Sequence, residues 1–478
     1  MTTLITASIP YVNAAPHIGY AYELVQADIA ARARRQLGDE LLLATGTDDN
    51  SLKNVRAARQ AGTDVADFVD LHADRFLALH DTLDTQFDST VRTSSDPRHA
   101  LAVDRIWRAA AESGDLYRKR WGGSYCVGCE LFLREAELDT DGFCPDHGTR
   151  PEWVEEENWF FRLSAYADHL HDLIATNRLR ISPEPFRREA LAFIEAGLDD
   201  ISVSRSAERA EGWGISVPDD ESQVVYVWFD ALTNYLSALG WCGSASPWRD
   251  LDERIHVVGK GILRFHAIYW PAFLAAAGEP PPTEIRVHPY LTAEGTKISK
   301  STGGGLDPIE VAHLVSADGL RWFFARDVND VADTDVSTGR IVARVNDELA
   351  NGLGNAVNRL ATLAQRLPSG IPEGSGRNEV TAACAAALAD LAEFEHRSGA
   401  AAIARSIGEL NAGINAAEPW TLGGAELAHS IGGFVAETQA IARAIRPVCP
   451  QFAARILAQL SGPTIPPPTP TFQRITTN

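Results

Sequence analysis

The order of segments at the start of the chain constrains the fold most strongly, because strand and helix patterns alternate within fifty residues. A β-prone run at 3–9 precedes a turn rich in small residues, a helical pattern at 21–37 and a buried strand at 40–46. This βαβ order predicts a parallel sheet with a ligand site at the carboxyl ends of its strands. We therefore expect the chemistry in the loops after Ile9 and Gly46.

Later parts of the chain change pattern in a way that indicates several domains. Short segments punctuated by Cys and Gly begin near residue 116, and the apolar runs 224–230 and 254–260 predict further buried strands. From about residue 340 the sequence is rich in Ala and almost wholly helical, as in a helical bundle. A chain of 478 residues is long enough for about two to four domains.

Composition excludes several classes of protein. Hydrophobic residues at 45% and charged residues at 22% are ordinary for a globular protein, and a net charge of -21 argues against a wholly basic coat for nucleic acid. Six cysteines are too few for a disulfide scaffold, which favours a reducing cytoplasm. The start of the chain has no basic and apolar leader, and no apolar run reaches about 18 residues, so we expect neither export nor a membrane span.

The first motif is PYVNAAPHIGY at 10–20, between the first strand and the first helix. Exposed N–H groups at a helix start favour an anionic phosphate, and Gly19 would allow a ligand to approach closely. A proline-rich turn with an incidental histidine explains the same residues, so the pattern alone leaves both interpretations open.

The second motif, TKISKS at 296–301, contains two of the five lysines among 43 basic residues. Lys297 and Lys300 are three positions apart, flanked by hydroxyls and followed by three glycines. Such ammonium groups can reach polyphosphate oxygens and stabilise the charge on a pyrophosphate leaving group. A solvated basic loop is the alternative.

The third motif is a cluster of metal-ligand residue types with the spacing C-x2-C-x14-C-x2-H. Three thiols and an imidazole form the ligand set of a closed tetrahedral zinc site, which leaves no position for substrate water. The sequence therefore predicts structural Zn²⁺ rather than catalytic metal. Its ligands are Cys126, Cys129, Cys144 and His147, and the scattered Cys242, Cys384 and Cys449 are expected to be plain buried residues.

The motifs in this order resemble those of the class I aminoacyl-tRNA synthetases, and among them the methionyl-tRNA synthetases. The series extends over nearly the whole chain and comprises PYVNAAPHIG, GTDDNSLK, YCVGCE, CPDHG, YVWFDALTNY, VVGKGILRFH and GTKISKS. The resemblance implies an α/β fold: a Rossmann-like parallel-sheet catalytic domain is split by a zinc-binding insertion and followed by an all-α helical-bundle anticodon-binding domain. The expected division is 1–115 and 224–275 for the catalytic halves, 116–223 for the insertion, 276–335 for a stem-contact region, 336–462 for the anticodon-binding domain and 463–478 for a flexible tail.

The resemblance also implies a two-step reaction. An amino-acid carboxylate attacks the α-phosphorus of ATP, and the acyl group then passes to the terminal adenosine of tRNA. Neither step needs a protein nucleophile, so positioning and charge stabilisation would supply the catalysis. His17, Lys297 and Lys300 match the HIGH and KMSKS signatures and take the catalytic roles. The implied ATP-binding residues, with Mg²⁺ accompanying the nucleotide, are His17, Gly19, Tyr20, Gly259, Lys260, Lys297 and Lys300.

Two further residue sets follow from the same resemblance. Asp48 would hold the substrate ammonium, and apolar or aromatic side chains would line a methionine pocket, which suits a polarizable thioether. This amino-acid-binding set is Ile9, Tyr11, Asp48, Trp228, Ala231, Tyr235, Ile262 and His266. In the helical domain, Asn355, Arg359 and Trp420 fall where the family reads a CAU anticodon by hydrogen bonding and stacking. The expected partners are tRNA, methionine and ATP, and a monomer is expected because no dimer-forming extension follows the helical domain.

Departures from the family pattern cluster around ATP and the amino acid. Tyr20 replaces the second histidine of HIGH, and Asn50 and Ser51 replace the histidine and glycine of a GTDEHG-type segment. Gly261 and Pro289 replace a usual aspartate and glycine, whereas KISKS differs from KMSKS by an apolar exchange only. These changes bear on activation rate, nucleotide affinity and inhibitor sensitivity.

Three functions remain open from the sequence. The leading one is a methionine–tRNA ligase, and the others are a related enzyme with another amino acid or acyl acceptor and a catalytically weakened tRNA-binding protein. Methionine occurs once, as Met1. We therefore hypothesise a second, inhibitor-tolerant copy made when methionyl-tRNA is scarce, against the alternative of a biased genome composition.

Overall fold

The structure is a computed structural model that describes residues 2–145, 147–241, 245–293, 296–297, 306–367, 370–372, 374–462 and 464–476, the pair 296–297 by backbone alone. Its strands are β1 (Thr2–Ala7), β2 (Glu40–Thr47), β3 (Ser89–Arg92), β4 (Leu116–Cys126), β5 (Leu131–Leu133), β6 (Glu152–Phe161), β7 (Arg180–Ser182), β8 (Ile201–Ser202), β9 (Ser204–Ser206), β10 (Ser216–Val217), β11 (Asp220–Val225), β12 (Glu253–Gly259), β13 (Glu284–His288), β14 (Leu291–Ala293), β15 (Thr296–Lys297) and β16 (Thr334–Asp335).

The α-helices are α1 (Ile18–Leu37), α2 (Leu52–Ala61), α3 (Val65–Leu83), α4 (Pro97–Glu112), α5 (Ala167–Ala175), α6 (Glu184–Glu195), α7 (Val227–Ser237), α8 (Trp270–Ala276), α9 (Pro308–Val315), α10 (Ala317–Asp327), α11 (Thr338–Arg344), α12 (Asn355–Ala364), α13 (Asn378–Ala392), α14 (His396–Ala417), α15 (Gly424–Ile445) and α16 (Pro450–Gln459). Short 3-10 turns occur at Glu135–Glu137, Leu163–Tyr166, Lys260–Ile262 and Pro419–Thr421. Two stretches, Phe265–Tyr269 and Val345–Gly354, are π-helical.

The chain divides into two compact units, each made of separate chain segments. The first unit comprises Met1–Pro16, Glu40–Ala78 and Phe87–His288. The second unit comprises His17–Asp39, Leu79–Gln86 and Pro289–Asn478.

A six-stranded parallel sheet forms the centre of the first unit. Its strand order is β3-β2-β1-β12-β13-β7, and Ile5 of β1 is in register with Leu43 of β2 and Ile255 of β12. These three side chains belong to buried strand positions, as expected for a sheet covered on both faces. The predicted Rossmann-like parallel sheet is confirmed, with the ends of β1, β2 and β12 at one edge.

The segments between β3 and β12 include smaller antiparallel sheets. β4 and β6 pair along most of their length, from Leu116 opposite Phe161 to Tyr125 opposite Glu152. β5 and β8 complete this four-stranded sheet, and β9, β10 and β11 form a three-stranded one. The long β4–β6 pair ends at Cys126, so it presents the cysteine cluster at its tip.

The prediction of a buried strand at 224–230 is wrong. β11 ends at Val225, and α7 begins at Val227 after the extended residue Tyr226. Every residue of α7 is buried, including Asp230, Thr233, Asn234 and Ser237, whose spacing of three and four marks one face of a helix and lies at or beyond the end of the apolar run. A short apolar run of this kind cannot be assigned to strand or helix by pattern alone.

The second unit is mostly helical, and α1 belongs to it. Tyr22 of α1 and Phe324 of α10 form an edge-to-face ring pair with centroids 5.4 Å apart. The buried Arg321 guanidinium lies 2.6 Å from Asp28 of α1 and donates hydrogen bonds to the carbonyl oxygens of Pro447 and Val448, both at 2.8 Å. α1 is therefore bound to the helical part of the chain by packing and by a buried ion pair.

Side chains of the helical part of the chain contact the described residues near its end. Asn346 donates to the Ile475 carbonyl at 2.9 Å and accepts from the Ile475 N–H at 2.8 Å. Phe472 packs edge-to-face on Phe452 of α16, and Arg455 donates to the Thr471 carbonyl at 2.8 Å. Side-chain donors and acceptors of the helices thus hold the backbone of a proline-rich segment that cannot continue a helix.

Within the described ranges, no helix combines the length and the apolar character that crossing a membrane requires.

Candidate functional site

The loops that follow β1 and β2 are joined by backbone contacts. The Asp48 N–H donates to the Pro10 carbonyl at 2.9 Å, and Tyr11 and Asp48 form a parallel β-bridge. Asn54 of α2 donates from its side-chain amide to the carbonyls of Asp48 and Asp49, at 3.1 and 2.8 Å. These contacts place Tyr11 and Asp48 side by side at the carboxyl edge of the parallel sheet.

Asp48 carries a buried carboxylate whose environment favours a cationic ligand. The residue is 2% exposed, and among the described residues no hydrogen-bond donor reaches its Oδ1. Burial raises the pKa of Asp48 well above its ordinary value, the charges of Asp230, Asp49 and Glu130 raise it further, and Lys53 lowers it. A bound ammonium group would both satisfy Oδ1 and compensate the negative charge.

Aromatic side chains surround this carboxylate in the first unit. The rings of Tyr11 and Trp228 meet edge to face, with centroids 6.2 Å apart, and Trp228 stacks on Phe265 at 3.6 Å. Of the described residues, none accepts a hydrogen bond from Trp228 Nε1. His266 is edge-on to Trp228 at 6.4 Å. The predicted pocket residues Tyr11, Trp228 and His266 are therefore brought together, and Phe265 joins them.

A hydrogen-bonded chain fixes the tautomer of His266. Its Nδ1 lies 2.9 Å from the Ile262 carbonyl and must donate, so Nε2 accepts from the Tyr235 hydroxyl at 2.8 Å. Both rings are buried. Ala231 lies between Trp228 and Tyr235 on α7, and Ile9 directly precedes the Pro10–Tyr11 segment. The structure thus places the eight predicted amino-acid-binding residues in the first unit.

Asn50 and Ser51, which depart from the family pattern, make structural contacts in the loop after β2. The Asn50 side-chain amide donates to Asp230 Oδ2 at 2.8 Å, and the buried His99 contacts Asp230 Oδ1 at 2.5 Å. Ser51 caps α2 by accepting from the Asn54 N–H at 3.2 Å. Asn50 and Ser51 therefore provide a carboxylate partner and a helix cap in the loop that carries Asp48.

In the second unit, His17 is the N-cap of α1. Its Nδ1 accepts from the N–H groups of Gly19 and Tyr20, at 3.1 and 3.3 Å, so the ring proton is on Nε2. A Cβ at Gly19 would approach His17 Nδ1 to 3.0 Å and Cε1 to 3.1 Å. Gly19 is thus the residue that lets the imidazole fold over the helix start, and Tyr20 is buried behind it.

The other predicted ATP-binding residues belong to different elements. Gly259 ends β12 and Lys260 begins the 3-10 turn that follows it, at the carboxyl edge of the parallel sheet. Lys297 ends the short strand β15, but its side chain lies outside the described part of the chain. Lys300 and Ile298 also lie outside the described residues.

The four predicted metal ligands converge at the tip of the β4–β6 pair. Their ligand atoms all lie within 4.8 Å of one another. Cys129 Sγ is 3.3 Å from His147 Nδ1 and 3.5 Å from Cys144 Sγ, and Cys126 Sγ is 4.0 Å from His147 Nδ1. A tetrahedral zinc ion with metal–sulfur distances of about 2.3 Å separates its ligand atoms by about 3.8 Å. The donor set and its spacing therefore fit Zn²⁺.

Two local features support this cluster. A Cβ at Gly128 would lie 2.3 Å from His147 Cγ, so only glycine leaves room for the imidazole. The pKa of the Cys126 thiol is lowered to about 3, chiefly by the hydrogen bond from the Cys129 thiol. Cys384 and Cys449 are buried in the second unit, and Cys242 lies outside the described residues.

The predicted anticodon residues lie on neighbouring helical elements of the second unit. Asn355 is the exposed first residue of α12, and Arg359 follows one turn later. The Arg359 guanidinium lies 5.4 Å from the Trp420 ring centroid and donates to Asn415 Oδ1 at 2.8 Å. Trp420 is 45% exposed, and Arg366 donates to its carbonyl at 3.1 Å. The group therefore combines a partly exposed ring, a guanidinium and side-chain amides on one part of the second unit.

Several residues near these sites were not singled out for a role from the sequence. Phe265, Asp230 and Asn415 each lie within a few positions of a predicted residue, so their nearness along the chain was an available signal. Glu130 had the same signal, because it directly follows Cys129, whereas His99 had none, because its contact joins segments far apart in sequence.

Comparison with known proteins identifies the family. The family model described as tRNA synthetases class I (M) matches residues 3–149 and 143–361, which is well over half of the chain. The chain belongs to this family. Members of class I are ATP-dependent aminoacyl-tRNA ligases, and the parallel sheet with an inserted cysteine cluster agrees with that membership.

Relatives of this class I synthetase cover almost its entire length. It is 37% identical to the methionine–tRNA ligase of Brucella melitensis over 96% of this chain and 92% of that protein. It is 36% identical to the methionine–tRNA ligase of Mycobacterium bovis, over 98% of this chain and 97% of that protein. Among solved structures, the Mycobacterium tuberculosis methionyl-tRNA synthetase in complex with methionyl-adenylate has a TM-score of 0.91 and 34% identity, covering 99% of this chain and 100% of that one.

Proposed function

We propose that this class I synthetase is a methionine–tRNA ligase, which activates methionine with ATP and transfers the acyl group to the 3′ end of tRNA. The observation that carries the proposal is the buried Asp48 carboxylate, whose Oδ1 meets no donor among the described residues, beside the rings of Tyr11 and Trp228. Relatives named methionine–tRNA ligase at 36 to 37% identity support the choice of amino acid.

Substrate binding follows from the charges and surfaces of the first unit. The substrate ammonium pairs with Asp48, which is buried and therefore gains from a hydrogen-bonded counter-charge. The thioether side chain packs against aromatic rings, which favour a polarizable sulfur. His266 is held at both ring nitrogens, with Nδ1 at the Ile262 carbonyl and Nε2 at the Tyr235 hydroxyl. The pocket therefore combines one anionic group with apolar walls.

Activation joins the substrate carboxylate to the α-phosphorus of ATP and releases pyrophosphate. His17 Nδ1 accepts from two backbone donors, so the ring proton is on Nε2, and we assign to this Nε2–H the hydrogen bond to a phosphate oxygen. By the family resemblance, Gly259 and Lys260 contact the nucleotide, and Lys297 and Lys300 stabilise negative charge on the leaving group. Mg²⁺ accompanies ATP and neutralises phosphate charge.

Transfer of the acyl group requires a tRNA. The residues proposed to recognise its anticodon lie far along the protein chain from the signature motifs. We assign CAU reading to Asn355, Arg359 and Trp420, because an exposed ring and amide groups suit stacking and hydrogen bonding to unpaired bases. The cysteine cluster would hold structural Zn²⁺ through Cys126, Cys129, Cys144 and His147. Aminoacylation for translation takes place in the cytoplasm, where we place this protein as a monomer with the domain division given above.

Amino-acid-dependent exchange of pyrophosphate with ATP, measured with each of the twenty amino acids, tests the proposed activity. Methionine should support exchange at least 100-fold faster than any other amino acid. Asp48→Asn, which keeps the size of the side chain and removes its charge, should raise the methionine KM at least tenfold. Exchange with a different amino acid would support the paralogue alternative, and no exchange at all would support a non-catalytic tRNA-binding protein.

Charging assays test the second substrate. A transcript with a CAU anticodon should accept methionine, and the same transcript with a changed anticodon should lose most of its acceptance. Trp420→Ala should reduce charging by lowering tRNA affinity and leave pyrophosphate exchange unchanged, because base stacking contributes about 1 to 3 kcal/mol. Equal charging of both transcripts would contradict the assignment of the anticodon site.

A further inference from the structure

Lys53 lies beside the amino-acid pocket and has no part in the proposed mechanism. Its Nζ is 4.1 Å from the centroid of the Tyr11 ring, and the same ring meets Trp228 edge to face at 6.2 Å. Lys53 is one of only five lysines in the chain. A lysine in this position contacts a wall of the pocket directly, through a cation–π interaction.

The backbone around Lys53 is held from two sides. On one side, the next residue, Asn54, donates from its side chain to the carbonyls of Asp48 and Asp49. On the other side, the Lys53 N–H donates to Glu130 Oε1 at 3.2 Å. The start of α2 is therefore anchored between the Asp48 loop and Glu130, which fixes the backbone from which the Lys53 side chain extends.

Glu130 connects this arrangement to the cysteine cluster. It directly follows Cys129, is 2% exposed and has a left-handed backbone with φ of 58°. The Tyr125 hydroxyl donates to its Oε2, and Tyr125 directly precedes Cys126. Both contacts of Glu130 thus depend on the conformation of the loop that would bind zinc.

The charges around Asp48 explain why a cation is needed here. Asp48, Asp49, Asp230 and Glu130 are all buried acids of the first unit. Asp49 is paired with Arg92 at 3.2 Å, and Asp230 is in contact with His99. Burial lowers the pKa of Lys53, and the charges of Glu130 and Asp48 oppose that effect. Without Lys53 the pKa of Asp48 would be higher still, which disfavours the carboxylate form that pairs with an ammonium group.

We propose that Lys53 is a positioning residue of the amino-acid pocket, which holds the Tyr11 ring and places a positive charge near Asp48. This inference rests on the proposed function, because it deepens the account of how the pocket takes an α-amino acid. It assigns Lys53 to the binding of the amino acid and not to the binding of ATP.

The first test separates the two substrates in pyrophosphate exchange. Lys53→Met keeps the length of the side chain and removes its charge, so the methionine KM should rise at least tenfold while the ATP KM changes less than twofold. Lys53→Arg keeps the charge and should return the methionine KM to within threefold of the wild type. Lys119→Met is the matched control, because Lys119 also lies over a ring, 4.8 Å from the Trp121 centroid, but on an exposed part of β4.

A binding measurement supplies a second readout that a purely structural role would not change. Methionine and its analogue without the amino group are titrated against the intrinsic tryptophan fluorescence, to which Trp228 contributes. In Lys53→Met the preference for methionine over the analogue should fall at least fivefold, with a thermal midpoint close to that of the wild type. If Lys53→Met does not fold, Lys53→Gln carries the same expectations.

The possible outcomes distinguish this inference from the proposed function. If the wild type shows no exchange with methionine, the proposed function fails. If the wild type exchanges and Lys53→Met behaves like Lys119→Met, only the positioning role of Lys53 is overturned. Equal increases in the KM values of methionine and ATP, or a Lys53→Arg variant no better than Lys53→Met, would overturn it as well.

Discussion

The Asn50 side-chain amide lies 2.8 Å from Asp230 Oδ2 and donates a hydrogen bond to it across 180 residues of sequence. Asn50→Ala would leave that buried oxygen without this donor, which costs about 1 to 3 kcal/mol. We expect a free energy of unfolding lower by that amount, measured by urea denaturation, and slower pyrophosphate exchange. Asn50→His restores the residue typical of the family and a ring donor, so its stability should stay near that of the wild type. Equal stability of the Ala variant would contradict the importance of the pair.

The same position tests the hypothesis of an inhibitor-tolerant second copy. Inhibition constants of a methionyl-adenylate analogue should be higher for the wild type than for a standard methionyl-tRNA synthetase. Asn50→His should lower the constant toward the standard value, because it restores the histidine typical of the family in the loop that carries Asp48. Equal sensitivity of the wild type and the standard enzyme would reject the hypothesis.

Gly19→Ala should displace the His17 ring from the start of α1. The new Cβ would lie 3.0 Å from Nδ1, so the two hydrogen bonds to the helix N–H groups would weaken, at a cost of about 1 kcal/mol. We expect a higher ATP KM in pyrophosphate exchange. Gly339→Ala in α11 is the control, because a Cβ there meets no described atom within 4 Å. An unchanged ATP KM in Gly19→Ala would contradict the role of the cap.

Gly128→Ala should abolish metal binding at the cysteine cluster. Its Cβ would overlap the His147 ring at 2.3 Å and move that ligand away. Metal analysis of the purified protein should give about one zinc per chain for the wild type and well below one for the variant. Cys384→Ala, which removes a buried thiol outside the cluster, should keep its zinc. A full complement of zinc in Gly128→Ala would show that the predicted ligand set is wrong.

Asn415→Ala should weaken tRNA recognition without touching the anticodon residues themselves. The substitution removes the acceptor at 2.8 Å that orients the Arg359 guanidinium near Trp420. One hydrogen bond is worth about 0.5 to 1.5 kcal/mol, so the tRNA KM should rise about two- to twelvefold. Pyrophosphate exchange should not change. The exposed Arg397 on α14 provides the control substitution Arg397→Ala. A tRNA KM unaltered by Asn415→Ala would contradict the orienting role.

His80 should make the stability depend on pH in a defined interval. Burial lowers its pKa to about 4, and its Nδ1 is 3.0 Å from the Thr85 hydroxyl. The unfolded chain binds a proton near pH 6.5 and the folded chain only near pH 4, so stability falls as the pH drops across this interval. In His80→Gln the decrease, measured by urea unfolding between pH 7 and 4, should be smaller. An identical pH profile would contradict this contribution.

The parallel sheet and the metal cluster could be predicted because their signals are local. Strands β1, β2 and β12 are apolar runs bounded by turns, and the four metal ligands lie within 22 residues. The Asn50–Asp230 pair and the Glu130–Lys53 contact could not be predicted, because each joins segments 77 to 180 residues apart. Such contacts depend on tertiary structure, and no spacing within a motif indicates them.

One error in the sequence analysis has a physical cause. The apolar run 224–230 continues from β11 into α7, and the polar positions that mark the helix, Thr233, Asn234 and Ser237, come after it. The proline-rich end of the chain correctly excludes a long helix, but composition does not indicate that Asn346 and Gln459 offer amide groups to its backbone. A segment without regular structure can still be held in place.

The membership of α1 in the second unit has a consequence for synthesis on the ribosome. α1 ends at Leu37, but Arg34 donates to the carbonyl of Ala392 and Tyr22 packs on Phe324. At roughly 5 to 20 residues per second, the nascent chain carries this helix for tens of seconds before those partners are translated. Its apolar face must meanwhile be shielded from aggregation. The yield of soluble protein should therefore depend on chaperone supply and on the elongation rate, even if the finished molecule is stable.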